Sequence, residues 1–218
     1  ELVEPGNLLG AGQIYDSNRT SLDALLRNFG VASLRHEHVR DDPQALGDAL
    51  SRAAHESDLV LSSGGVSAGE ADFLPGLVEK LGKVHFWKVR IKPGMPLLFG
   101  EIGKALVCSL PGNPVSGMAT FLALLRPGLD ALIGRNPRSR ATARLAVSVI
   151  KTHSRAEYLR ATAQFGDDGA LWVTPLPRQG SGMLHTVTQA RCLVLIEEDT
   201  QALEQGSVVE VLPLPGLC

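Results

Sequence analysis

Aromatic residues are scarce in this chain. Phe, Trp and Tyr make up 5% of its 218 residues, so the core has to be built mostly from Leu, Val, Ala and Ile. An excess of charge of one sign is missing too. The 21 Lys and Arg residues against 23 Asp and Glu leave a formal net charge of −2. That excludes the broad basic surface of a general nucleic-acid or membrane-surface binder, and any anion site must be local. No apolar run has the length of a membrane span and no signal-peptide pattern opens the chain. The expectation is a cytoplasmic protein with neither nucleic acid nor membrane as a partner. The three cysteines, Cys108, Cys192 and Cys218, are odd in number and far apart, which fits neither a disulfide framework nor a metal-ligand spacing. They read as free thiols in a reducing compartment. His36 and His38 read as a solvated strand face rather than as ligands. An initiator Met is also lacking, and the opening "ELVEPGNLLGAG" reads as the interior of a longer chain.

What is present is a globular composition, 44% apolar and 20% charged, with enough apolar side chains for a sizeable core. Residues 1–11 read as a connector. From 12 to 136 strand and helix signals alternate. "GQIYDSN" ends a short strand and offers Asp16, Ser17 and Asn18 as helix caps. "TSLDALLRNFG" has Leu22, Leu25, Leu26 and Phe29 at helical spacing and Gly30 as a stop. "VASLRHEHV" reads as a strand. After "RDD", Pro43 suits the first position of a helix through "QALGDALSRAAHES". "DLVLSS" reads as a buried strand, "FLPGLVEKLG" as a helix, "VHFWKVRI" as a strand, and "PLLFGEIGKALVCSL" as a hairpin through "GEIG". A long helix, "GMATFLALLRPGLDALIG", should kink at Pro127. This alternation predicts an α/β fold, a largely parallel sheet with helices on both faces. From 137 to 218 no convincing helix is visible, only short alternating runs with "GDDG" as a hairpin turn, which predicts a small all-β domain.

Two loops draw attention because each follows a strand and enters a helix. In an open parallel sheet ligands bind at that edge, where unpaired peptide N–H groups and the helix dipole favour oxyanions. "SSGGVSAGEAD" supplies Ser63, Gly64, Gly65, Ser67, Gly69 and Glu70; "SLPGNPVSG" supplies Pro111, Gly112, Asn113, Pro114 and Ser116. Taken singly, such a loop is as readily a plain tight turn. Glu70 and Asp72 would repel phosphate unless a divalent cation bridges the two, and Asp41 and Asp42 lie at the end of another expected strand on the same edge. At least one of that pair is expected to cap a helix. Carboxylates facing two glycine loops point to metal-assisted chemistry on a phosphate ester or anhydride. In "VHFWKVRIKPG", a continuous strand would put Lys88, Arg90 and Lys92 on one face, with Lys88 and Lys92 roughly 13 Å apart, suited to an extended ligand with two anionic groups.

Read in order, "ELVEPG", "GQIYDSNR", "RDDP", "SSGGVSAGEADF", "FWKVRIKPG", "LPGNPVSG" and "RQGSG" resemble the molybdopterin molybdenumtransferases, the MoeA and gephyrin E-domain family. The resemblance implies a molybdopterin-binding α/β domain followed by the family's β-rich C-terminal domain. It implies insertion of molybdate into adenylylated molybdopterin with magnesium-dependent release of AMP. The family's functional positions fall on Glu1, Asp41, Asp72, Lys88, Lys92, Arg160 and Ser181. Glu1, Asp41 and Asp72 would serve the metal, the two lysines the anionic substrate, and Arg160 and Ser181 an oxyanion. Arg90 is outside that pattern. The resemblance also implies a homodimer in the full-length protein, with the site formed between subunits, and an adenylyltransferase of the same pathway as a partner. Two domains that precede this region in the family are not in the sequence.

The related adenylyltransferases carry "TGGTG" where this chain has "SGGVS", and they lack both the "KPG" strand and the β domain. A competence-damage-type nucleotide hydrolase fails on the same grounds. A gephyrin-like scaffold module without catalysis is the non-enzymatic alternative; the presence of Asp41, Asp72, Lys88 and Lys92 disfavours it.

Overall fold

The computed structural model describes residues 2–66, 73–136 and 141–215. The first strands, β1 (Leu2–Val3) and β2 (Ile14–Tyr15), pair in parallel with each other. Helix α1 (Ser17–Phe29) starts where the Asp16 carboxylate accepts the Arg19 N–H (3.0 Å) and stops at Gly30 in the left-handed conformation. Its buried stripe is Leu25, Leu26 and Phe29, at the spacing the sequence predicts. Helix α2 (Pro43–Glu56) has Asp42 as its cap, accepting the Ala45 N–H at 2.8 Å, and Pro43 in its first turn.

The expected strand between these helices does not form. Residues 31–40 make no ladder and are held through side chains: Arg35 to Glu56, His36 to Asp23 (3.2 Å), Glu37 to Arg52 (2.7 Å). Side-chain partners on α1 and α2 take the place of backbone pairing. His36 is therefore a hydrogen-bond partner of Asp23 rather than a residue on a strand face.

A four-stranded sheet carries the first part of the chain. Its members are β3 (Leu59–Ser63), β4 (Lys83–Trp87), β6 (Leu98–Ile102) and β7 (Ala105–Leu110), in the order β3-β7-β6-β4. Helix α3 (Leu74–Leu81) joins β3 to β4, and β5 (Ile91–Lys92) lies between β4 and β6 in the chain. β3 and β7 run parallel, while the β7–β6 and β6–β4 pairings are antiparallel, so the described sheet is mixed. The β6–β7 hairpin turns at Gly103-Lys104, with Ile102 opposite Ala105. Leu59 and Leu61 pack on one cluster and Val60 on another, as period-2 alternation requires.

The long helix expected before residue 134 has three parts: α4 (Pro114–Thr120), a π-helical turn (Phe121–Leu125) and α5 (Arg126–Leu132). Pro127 has no N–H to give and its ring collides with a regular preceding turn, so the wider π turn directly before it absorbs the misfit.

The second part is mostly strand: β8 (Ala141–Leu145), β9 (Val149–Ile150), β10 (Ala156–Phe165), β11 (Leu171–Pro175), β12 (Cys192–Ile196), β13 (Ala202–Leu203) and β14 (Val208–Pro213). One short helix, α6 (His185–Gln189), departs from the all-β expectation. "GDDG" does turn the β10–β11 hairpin, with Phe165 opposite Leu171. The main sheet has the order β11-β8-β14-β12-β10-β5. Its last member is the two-residue β5 from the first part. The largest apolar cluster also draws on both parts, from Leu25, Phe121 and Leu129 to Tyr158, Leu193 and Leu214. Among the described residues no helix is long and apolar enough to cross a membrane. Cys108 and Cys192 are buried free thiols, and burial pushes them up to about 12 and about 11.

Candidate active site

Parallel pairing of β3 with β7 places Ser63 beside Leu110, so both glycine loops leave the same edge of the sheet. They touch: the Gly64 N–H donates to the Leu110 carbonyl at 3.0 Å, and a Cβ on Gly112 would stand 3.5 Å from Gly64 Cα. Gly64 and Gly65 have φ of 93° and 70°, a backbone that side-chain-bearing residues seldom adopt. Asn18, in the first turn of α1, binds both loops at once. Its Nδ2 donates to Ser63 Oγ (2.7 Å) and to the Gly112 carbonyl (2.6 Å). Because Ser63 Oγ accepts there, its own proton is left for another acceptor. Sequence reasoning gave Asn18 only as a helix cap; the cap is Asp16, and nothing local reveals that Asn18 spans two loops far along the chain.

The "RQGSG" loop arrives at the same place. The Val115 N–H, in the first turn of α4, donates to the Ser181 carbonyl at 3.2 Å. Behind that loop lies Arg160 of β10, only 1% exposed. Its guanidinium donates to the carbonyls of Arg178 (3.0 Å) and Gly180 (3.2 Å), and burial lowers its pKa from the ordinary value. Gln179 closes the arrangement, accepting the Arg160 N–H and donating to its carbonyl. Arg160 thus shapes the segment that carries Ser181. Pro111 and Ser116 are buried, so they set the shape of their loop, whereas Gly112 and Asn113 are exposed.

The basic row is not a row. β4 ends at Trp87, and Lys88 has a left-handed φ of 68°, which breaks the strand. The Lys88 and Val89 N–H groups turn to the carbonyls of Leu97 and Met95, and Ile91–Lys92 then joins the other sheet opposite Ala156–Glu157. The alternation that would align three cations therefore ends at residue 87, and the spacing of a continuous strand does not apply. Lys88 Nζ lies 4.3 Å over the Trp87 ring, and Trp87 Nε1 donates to the Val66 carbonyl (3.3 Å) at the described end of the first glycine loop. Arg90 pairs with Glu198 and reaches Ser154. Lys92 Nζ stands 2.9 Å from Glu157 Oε1.

Asp41 is exposed at the end of the 31–40 segment, beside the capping Asp42. Glu1, Ser67, Gly69, Glu70 and Asp72 lie outside the described residues. Among the described residues no three His, Cys, Asp or Glu side chains gather as a metal centre.

Residues 1–131 match the family described as "Probable molybdopterin binding domain", and residues 142–214 match "MoeA C-terminal region (domain IV)". Molybdopterin molybdenumtransferase of Haemophilus influenzae is 34% identical over 220 residues, covering 100% of this chain and 54% of the relative. Molybdopterin molybdenumtransferase 2 of Mycobacterium tuberculosis is 33% identical over 98% of this chain and 54% of its own length. The crystal structure of a molybdopterin biosynthesis moeA protein from Pyrococcus horikoshii superposes with a TM-score of 0.82 at 32% identity, over 99% of this chain and 52% of that one. The chain therefore spans about half the length of the relatives it matches. It belongs to the MoeA family, of which it carries the molybdopterin-binding domain and the C-terminal region.

Proposed function

We propose that this protein performs the molybdate-insertion step of molybdenum-cofactor assembly. Adenylylated molybdopterin and molybdate are its substrates, and AMP is released. The observation that carries the reading is the convergence of three loops, at residues 63–66, 111–114 and 178–182, on one sheet edge at the start of α4. Peptide N–H groups around Gly65 and Gly112 would take phosphate oxygens, with the Ser63 proton as a further donor. Lys88, beside the first loop, and Lys92, in the β-rich sheet, would stabilise negative charge on molybdate and on the departing phosphate. Ser181 would meet an oxyanion on a loop that Arg160 keeps in shape.

Magnesium falls, in this reading, to Glu1, Asp41 and Asp72. Asp41 has the right chemistry, an exposed carboxylate of the kind hard cations prefer. A cation bound there would offset phosphate charge beside the acidic loop residues. A homodimer, a cytoplasmic location and an adenylyltransferase supplying the substrate belong to the same proposal. The adenylyltransferase reading is not favoured for this chain itself, because residues 142–214 match the MoeA C-terminal region.

The test is AMP release from adenylylated molybdopterin, with and without molybdate and magnesium, by the protein as the cell makes it. AMP that depends on both additions supports the reading. No AMP from folded wild-type protein would sink it.

A further inference from the structure

Glu157 sits in β10 as the register partner of Lys92 in β5. It is 7% exposed, and an ionised carboxylate at such a position is costly unless it is paired. Among the described residues two side chains flank it. Lys92 Nζ is 2.9 Å from Oε1, and His153 Nε2 is 3.3 Å from Oε2. Neither ring nitrogen of His153 has a hydrogen-bond partner among the described residues, so the imidazole flanks the carboxylate without a well-aligned bond.

Two other cations nearby are already taken. Arg90 is paired with Glu198. Lys151 gives its ammonium to the carbonyls of Arg155, Glu197 and Glu198. Lys92 is thus the amine that the buried carboxylate holds, and its side chain is still 41% exposed. A free lysine of that exposure would sample many rotamers and lose that freedom on meeting an anion; one held at its tip has lost it on folding.

We propose that Glu157 is the positioning residue for Lys92, fixing the ammonium where an anionic ligand meets it; this rests on the reading of Lys92 above as an anion-binding group. The strand gives the arrangement a second purpose. Three residues beyond Glu157, Arg160 holds the carbonyls on either side of Gln179 and so the approach to Ser181. One stretch of β10 therefore sets both the lysine and the serine loop.

The experiment is a double-mutant cycle on the protein as the cell makes it, with Glu157→Gln, Lys92→Met and the pair. AMP release is read at varied molybdate, and the Lys92 ammonium signal is followed in proton–nitrogen correlation spectra, assigned by its loss in Lys92→Met. Glu157→Gln is expected to lower kcat/KM about tenfold or more in the wild-type background. In the Lys92→Met background it should change it by less than about twofold, and the ammonium signal should vanish into exchange with water. Equal losses in both backgrounds, or an unchanged ammonium signal, would overturn the proposal while leaving the function standing. Inactive wild-type protein would overturn the function, and the signal would still decide whether Glu157 holds Lys92. Should Glu157→Gln fail to fold, Glu157→Asp keeps the charge, shortens the arm by one methylene and is expected to act in the same direction.

Discussion

In the α/β half, the groups that face the candidate site are peptide N–H groups and a hydroxyl, on loops tied together at a partly exposed surface by Asn18. In the β-rich half they stand on charges sunk into the fold. Lys151, Glu157 and Arg160 are 4%, 7% and 1% exposed within ten residues of chain. The first half presents backbone, whose placement depends on tight approach and on glycine. The second presents side chains, whose placement depends on every buried charge having its partner. Damage should therefore look different in the two halves.

The largest effect is expected at Arg160. Arg160→Leu leaves the Arg178 and Gly180 carbonyls without their guanidinium donor and should cost about 3 kcal/mol in urea unfolding, with loss of order in residues 176–182. A loss as small as that of a surface substitution would erase the distinction between the halves.

Glycines sharpen it next. A methyl group on Gly100 would run into the Lys83 carbonyl oxygen and stand 3.1 Å from Val78 Cγ1, so Gly100→Ala should destabilise by about 2 kcal/mol. Gly112→Ala meets only ordinary contact with Gly64 and should leave stability within about 0.5 kcal/mol, yet weaken binding of adenylylated molybdopterin in calorimetry. Equal thermal shifts would mean that Gly112 is as structural as Gly100.

Smaller again is Asn18→Asp. It turns a donor into an acceptor opposite the Gly112 carbonyl and draws the Ser63 proton to itself. Stability should fall by about 1 kcal/mol, and ligand affinity by more than in Asn18→Ser. The smallest effect concerns the pair of half-buried Asp23 and exposed Arg27, 2.7 Å apart. The Arg27 hydrogen bond lowers the Asp23 pKa below 3.8. Since the folded value lies below the unfolded one, the contribution is present above pH 3.8 and fades as pH falls through the folded value. Asp23→Asn should flatten the acid limb of the stability profile only slightly.

Much of this was legible in the sequence, and what was not has a common physical cause. The caps at Asp16, Asp42 and Gly30, the glycine loops and the alternating strands of residues 141–215 are local signals, written within a few residues of where they act. "KVRIK" alternates as well as any strand does. It is broken at Lys88 because Ile91–Lys92 finds its ladder partner at Ala156–Glu157, about 65 residues away. The segment 31–40 has a strand's composition, but its charges are claimed by α1 and α2. Glu157 carries no motif at all: a lone glutamate in a strand announces nothing until the opposite strand brings a lysine.

The break at Lys88 has one more consequence. Lys88 hangs from the end of the first sheet beside Trp87, while Lys92 is fastened to the second through Glu157, so the few residues between them bridge two frames. Their separation is then a gauge of how the two sheets stand to each other. A ligand long enough to engage both ammonium groups would select one relative setting of the halves, and a hinge motion too small to disturb either loop would still be felt as a change in the distance between two positive charges.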